Sequence, residues 1–291
     1  MKQKLSRSLF LIPALALLSI FVVYPVVNTI YLSFLSPEGE FVFLSNYADI
    51  LTRREIVNPR GFARGFAFGA LPHNLLWTLI HLPLTVFLGL VLAVILRHVK
   101  GKVIIKSVIF LGMVTPMIIA GVLLRFIFDG RAGIVPAVFS IFGVAPRTLT
   151  AHPDTALIAL ILGSVWIWTG FSMVLYSAGL GTIPKELNEA AQIDGATPQR
   201  IFFKITIPML KPITTVVVTM TLLWNLRIFD IVYAATMGGP GGATNVLALQ
   251  MFFYAFRHLE FNSAAVVATV LMFLAMVAAT PMIRSAWRES Q

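Results

Sequence analysis

Long apolar stretches that lack charged residues dominate this chain. Five of them contain no Asp, Glu, Lys or Arg, and a sixth contains only Arg227 and Asp230. Each is close to the roughly 20 helical residues that cross a hydrocarbon core of about 30 Å. The pattern therefore predicts six transmembrane helices, within the ranges 8–36, 71–96, 107–124, 155–183, 212–236 and 261–283.

Helices rather than strands are expected in these stretches. The strands of a membrane barrel alternate polar and apolar residues, and these stretches do not alternate. The first stretch follows basic residues, as a secretory signal does, but it exceeds the about 7–15 apolar residues of a cleavable signal. We therefore expect a retained first helix in an all-α integral membrane protein. A single domain over residues 1–291 is expected, and its longest outer loop spans about 37–70.

Charge sets the expected orientation of the chain. The sequence is 58% hydrophobic and 12% charged, with a net charge of +10. If the N-terminus is inside, the inner segments hold thirteen Lys and Arg against four acidic residues. This is the positive-inside pattern, so both termini are expected in the cytoplasm of a multi-pass cell membrane protein. The basic charge then indicates topology and lipid contact, not nucleic-acid binding. Without cysteine, disulfides and thiolate chemistry are excluded.

The inner segment 184–212, which precedes the fifth span, has an unusual pattern. Pro184 is followed by a short helical stretch that reaches Asp194, and Gly195 is expected to end it in left-handed geometry. Thr197 and Pro198 are typical of an N-cap and a first helical turn, so a second short helix follows. Small side chains at the centre of the first helix suit insertion into a cleft of another protein. An ordinary interfacial helix hairpin is the alternative.

A motif within this segment resembles a known family. The run reads Glu189-Ala190-Ala191-Gln192-Ile193-Asp194-Gly195-Ala196, and Phe202, Ile205, Pro208 and Pro212 follow it. It resembles the EAA loop of binding-protein-dependent ABC importers, in the carbohydrate branch that includes the MalF/UgpA-type permeases. The resemblance implies a type I ABC importer permease fold. It also implies that Glu189, Ala190, Ala191, Asp194 and Gly195 couple the chain to an ATPase.

Further expectations follow from this resemblance. The chain would be the membrane subunit of an ATP-driven importer of mono-, di- or oligosaccharides. Its partners would be a second permease in a heterodimer, two ATP-binding subunits and an extracytoplasmic sugar-binding protein. The sequence has no G-x-x-x-x-G-K-[ST] phosphate loop, which agrees with a non-catalytic subunit whose partners hydrolyse ATP. No cofactor is expected. The five histidines have no metal-ligand spacing, so no metal site is expected either.

A stand-alone secondary transporter or channel is the alternative function. It would be favoured by paired acidic residues within the membrane, and only Asp230 is present there. A membrane enzyme is a third class, but the sequence shows no nucleophile–base constellation.

Polar residues in the predicted spans are candidates for the solute path, because they usually face the interior of a bundle. Asn225 either faces the path or bonds to a neighbouring helix. Arg227 either lines the path or pairs with Asp230 three residues later. Ser164 and Trp168 share one face of the fourth helix, where the indole can stack on a sugar ring or simply pack. The resemblance places the solute site on helices three to five, at Met113, Met117, Ser164, Trp168, Asn225 and Arg227.

Overall fold

A computed structural model describes residues 11–64 and 66–289 of the chain. Helices account for all the regular secondary structure in these two ranges, apart from one isolated bridge between Leu35 and Phe41. Four helices are long and apolar enough to cross a membrane, and two bent pairs bring the number of candidate spans to six. The continuous spans are α1 (Leu11–Leu32), α4 (Ala70–Ile95), α8 (Ala156–Thr182) and α14 (Phe261–Glu289).

The third span is broken, contrary to the single helix that the sequence predicts over 107–124. Helix α5 (Lys102–Val114) ends before Thr115, and α6 (Met117–Ile127) leaves at 102° to it. Pro116 causes the break, because a residue before proline is pushed out of helical geometry. Thr115 accordingly has an extended ψ of 127°.

The fifth span also differs from the single helix predicted over 212–236. Helix α10 (Pro198–Met209) meets α11 (Lys211–Leu226) at a bend of 63°, and α12 (Asp230–Thr236) follows a second break after Leu226. No proline or glycine lies at that second break. Instead, the side-chain amide of Asn74 donates to the carbonyls of Asn225 and Leu226, at 3.0 and 3.4 Å. These carbonyls would otherwise lack partners where the helix ends, so another helix stabilises the break.

Short helices complete the chain outside the spans. In the predicted outer loop lie α2 (Ser45–Thr52) and α3 (Pro59–Arg64). Helix α7 (Ile134–Ile141) precedes α8, α9 (Lys185–Ile193) follows it, and α13 (Leu247–Phe252) precedes α14.

Helix α8 is at the centre of the bundle and packs most extensively on α4 and α5. Close approach requires small residues there. A Cβ added to Gly89 of α4 would come within 2.3 Å of the Cβ of Ser172 on α8. Helices α6 and α12 also pack closely, since a Cβ on Gly121 would lie 2.7 Å from the carbonyl oxygen of Ile231. The two helical segments that follow breaks therefore pack on each other.

The C-terminal end of α1 is held to the rest of the chain by hydrogen bonds. The Asn262 amide donates to the carbonyls of Leu32, Leu35 and Ser36, and the Asn46 amide donates to that of Leu35. Nearby, Arg53 forms an ion pair with Glu260 at 2.8 Å, which joins the predicted outer loop to the start of α14. The Arg53 guanidinium holds the pKa of the Glu260 carboxyl below its ordinary value.

Candidate functional site

The glycine bend of the 184–212 segment follows from local backbone chemistry. Helix α9 ends at Ile193, and Gly195 has a φ of +76°. Its N–H donates to the carbonyl of Gln192 at 3.0 Å, and the N–H of Ala196 donates to that of Ala191 at 2.9 Å. This is the Schellman arrangement, in which the residue with positive φ is usually glycine because it has no Cβ. The predicted helix end at this glycine is present.

The second helix of the segment starts as the sequence predicts. The Thr197 hydroxyl accepts a hydrogen bond from the N–H of Arg200 at 3.3 Å, and Pro198 occupies the first turn. Helix α10 buries Ile201 and exposes Phe203. Pro208 of the motif lies within α10, and the bend follows at Leu210.

Helix α9 projects from the bundle, and none of its residues is buried. Glu189, Ala190, Asp194 and Gly195 are exposed, and Ala191 is half-buried. Ile193 is 87% exposed, more than any other large apolar residue among those described. A helix that exposes an isoleucine, small side chains and the carboxylates of Glu186 and Glu189 is suited to a cleft on another protein.

Two of the candidate path residues lie inside the bundle on α8. Ser164 is fully buried and donates its hydroxyl to the carbonyl of Ile161 at 2.8 Å. Trp168 is 7% exposed and packs on Trp224 of α11, with ring centroids 3.8 Å apart and ring planes 31° apart. The indole N–H of Trp168 has no protein acceptor among the described residues. An aromatic pair thus joins the fourth and fifth spans.

Asn225 and Arg227 lie at the end of α11 in different environments. Asn225 is 1% exposed, and no described residue bonds to its side-chain amide. Arg227 is exposed, and its Nε donates to the carbonyl of Leu223 at 3.3 Å. An Arg227–Asp230 pair is not among the ion pairs of the described residues. Helix α11 ends at Leu226 and α12 begins at Asp230, so Arg227 and Asp230 do not have the helical spacing that the sequence analysis assumed.

The two methionines stand on either side of the break in the third span. Met113 is half-buried near the end of α5. Met117 begins α6 and packs on the apolar cluster that contains Trp77 and Trp168. The structure thus brings Met117, Trp168 and Trp224 to one cluster, with Asn225 next in sequence to Trp224. It leaves Met113 on the other side of the break.

The sequence did not lead us to predict a set of buried hydrogen bonds at the start of α4. Besides its bonds to the end of α11, Asn74 accepts from the N–H of Leu247 at 2.8 Å. The neighbouring His73 ring contacts the carbonyl of Asn245 at 2.7 Å. Both side chains are buried. The sequence signal for these bonds was the pair of adjacent polar residues, His73 and Asn74, at the start of an apolar stretch.

Comparison with known proteins gives the family of the chain. Residues 85–285 match the model described as the binding-protein-dependent transport system inner membrane component. A chain of Pyrococcus horikoshii named as a probable ABC transporter permease protein is 53% identical, over 98% of this chain and 99% of that one. The alpha-glucoside transport system permease AglF of Rhizobium meliloti is 37% identical over 97% of this chain and 82% of its own length.

Another relative and a solved structure agree with this result. The trehalose/maltose transport system permease MalF of Thermococcus litoralis is 33% identical over 84% of this chain and 82% of its own length. In the crystal structure of a bacterial ABC transporter that imports the acidic polysaccharide alginate, one chain superimposes with a TM-score of 0.78. That likeness covers 97% of this chain and 96% of the other at 18% identity, and it supports the fold alone. The chain belongs to the family of inner membrane components of binding-protein-dependent transport systems, and its fold is that of the type I ABC importer permeases.

Proposed function

We propose that this chain is the membrane-spanning subunit of an ATP-driven sugar importer. The observation that carries the proposal is the EAA-type run on an exposed helix that ends at a glycine of positive φ. The names of the relatives supply the solute class. They include permeases for trehalose and maltose, alpha-glucosides, lactose and arabinooligosaccharides. All of these are neutral carbohydrates.

In this proposal α9 docks into a partner ATPase on the cytoplasmic side. Ile193 would enter an apolar part of the cleft. Its side chain is 87% exposed in the isolated chain, and exposing an isoleucine to water is unfavourable. Glu189 and Asp194 would remain near its polar rim. The chain contributes no phosphate loop, so two ATP-binding partners supply the hydrolysis. A second permease completes the path, and an extracytoplasmic binding protein delivers the sugar.

The two broken spans give such an importer a means of alternating access. Helices α6 and α12 pack on each other at Gly121, and each follows a break in its own span. Movement of α9 passes through α10 and the 63° bend into α11, which carries Trp224 and Asn225. The breaks at residues 115–116 and 227–229 then act as hinges about which the α6–α12 unit turns. This is hinge motion of packed elements, as in other two-state proteins.

The orientation can be tested with single cysteines, because the natural chain has none. Ala190→Cys on α9 should react with a membrane-impermeant maleimide only after the cells are opened. Glu38→Cys, an exposed position in the predicted outer loop, is the matched control and should react in intact cells. The reverse labelling pattern would exclude ATPase docking at α9.

The solute class can be tested on the transporter that co-purifies with the tagged chain. Its ATPase activity in liposomes should rise with a binding protein loaded with an alpha-glucoside or another oligosaccharide, and not with amino acids. Uptake driven by an ion gradient, with no ATPase bound, would instead support a stand-alone secondary transporter.

A further inference from the structure

A groove runs along the outside of the bundle between α11 and α14. Its volume is about 390 Å³. One face of α11 forms one wall, and Ala278 and Pro281 of α14 form the other. Threonine, valine and alanine side chains keep the groove open, and its surface is mostly apolar. The hydrocarbon core of a membrane holds no water, so an apolar groove between two spans is filled by an apolar occupant.

The length of the groove matches one leaflet of a bilayer. Its wall on α11 extends from Lys211 to Leu222. These eleven steps correspond to about 16 Å at 1.5 Å per residue. A hydrocarbon core is about 30 Å thick, so the groove covers about one half of it. The match favours a single lipid chain over a segment that crosses the whole membrane.

Positive charge lies at one end of this groove. Lys211 is exposed at the start of α11, and Arg284 is exposed one turn beyond Pro281 on α14. Neither cation takes part in the ion pairs of residues 11–64 and 66–289. The groove therefore has a cationic end and an apolar length.

Helix α10 identifies the charged end as the level of the lipid headgroups. It runs into the bend beside Lys211 and carries the exposed Phe203, which is 67% exposed, next to the exposed Lys204. An aromatic ring beside a lysine is typical of a helix that lies at the membrane interface.

We propose that this groove binds one anionic phospholipid of the inner leaflet. The lipid phosphate contacts Lys211 and Arg284, and an acyl chain lies along α11 past Val218. Basic sites between spans on the cytoplasmic side are suited to such headgroups. The lipid lies against the bend between α10 and α11, the joint through which movement of α9 passes. The inner-leaflet assignment and the transmission of movement through this joint rest on the proposed function.

The test is native mass spectrometry of the transporter that co-purifies with the tagged chain, titrated with phosphatidylglycerol or phosphatidylcholine. The wild type should retain one phosphatidylglycerol more tightly than phosphatidylcholine. Lys211→Gln and Arg284→Gln should each weaken that binding about fivefold. Lys100→Gln is the matched control, because Lys100 is also exposed on the predicted inner side but lies outside the groove, and it should leave binding unchanged.

A second variant tests the apolar length. Val218→Phe fills the groove and keeps both cations, so it should reduce phosphatidylglycerol binding. Equal lipid binding in the wild type and all variants would overturn the proposal, as would competition by millimolar inorganic phosphate. Loss of the second permease from the Val218→Phe complex would also overturn it, by assigning the groove to a protein partner. ATP-driven sugar uptake by the same samples separates failure of this proposal from failure of the proposed function.

Discussion

Helices α8 and α1 are both long and apolar, yet they have opposite positions in the molecule. Seventeen of the 27 residues of α8 are buried, whereas none of the residues of α1 is. Helix α8 contains four glycines and α1 contains none. Lipid is as apolar as a leucine side chain, so burial in a membrane depends on close packing and not on hydrophobicity. Glycine content thus distinguishes the central helix from the peripheral one.

The largest expected difference between these helices comes from matched isoleucines. Ile167 on α8 is fully buried, whereas Ile20 on α1 is 59% exposed. Ile167→Ala should cost about 3 kcal/mol, because it opens a cavity among packed side chains. Ile20→Ala should change stability by less than about 0.5 kcal/mol.

Thermal unfolding of the purified transporter in nanodiscs measures both variants. Equal loss of stability would mean that α1 is also packed against protein in the assembly. The second permease would then be the partner to seek on α1.

Alanine substitutions at two glycines test the requirement for small residues at α8, and they should change stability in opposite directions. Gly89→Ala should cost about 2 kcal/mol, because its Cβ would overlap Ser172 of α8. Gly181 near the end of α8 has open space around it, so Gly181→Ala should stabilise the helix by about 0.5–1 kcal/mol. The same unfolding assay serves both. If Gly89→Ala is neutral, the tight contact between α4 and α8 is not essential.

The C-terminal end of α1 is held by hydrogen bonds, and removing them should change stability less than the substitutions in α8 and α4 do. Asn262→Ala removes hydrogen bonds to the carbonyls of Leu32, Leu35 and Ser36, at and just after the end of α1, and should cost about 1 kcal/mol. The C-terminal half of α1 should then exchange amide hydrogens faster, while exchange in α8 is unchanged. Unchanged exchange in α1 would show that other contacts hold it.

The smallest expected effect depends on pH. Because Arg53 lowers the folded-state pKa of Glu260 from its ordinary value of 4.5, their ion pair contributes stability above that pH. The contribution is lost as the pH falls through the lower, folded-state pKa. The Glu260 side chain is 41% exposed, so the effect should not exceed about 1 kcal/mol.

Glu260→Gln should therefore lower the unfolding temperature at pH 7, and the difference from the wild type should shrink below pH 4.5. A difference that is independent of pH would assign the effect to packing.

Local sequence determined much of this structure, and distant contacts determined the rest. The six apolar stretches and the bend at Gly195 follow from composition and backbone geometry. The break at Pro116 could also have been predicted from the proline, although our sequence analysis did not do so. The break after Leu226 could not be predicted from the local sequence, because it depends on Asn74, some 150 residues earlier in the chain. Burial of Asn225 likewise depends on tertiary packing. Roles of the path residues stay predictions.

Docking of α9 into an ATPase is most directly tested by substitutions at Glu189 and Gly195. Gly195→Val forces a branched side chain into positive φ, and Glu189→Lys reverses the exposed charge. Gly181→Ala, in open space on the preceding helix, is the control. With all three proteins inserted at wild-type levels, the first two should lose sugar uptake and the co-purified ATPase, and the control should keep both. Full uptake and normal ATPase recovery in both the Gly195→Val and Glu189→Lys proteins would contradict the proposed coupling.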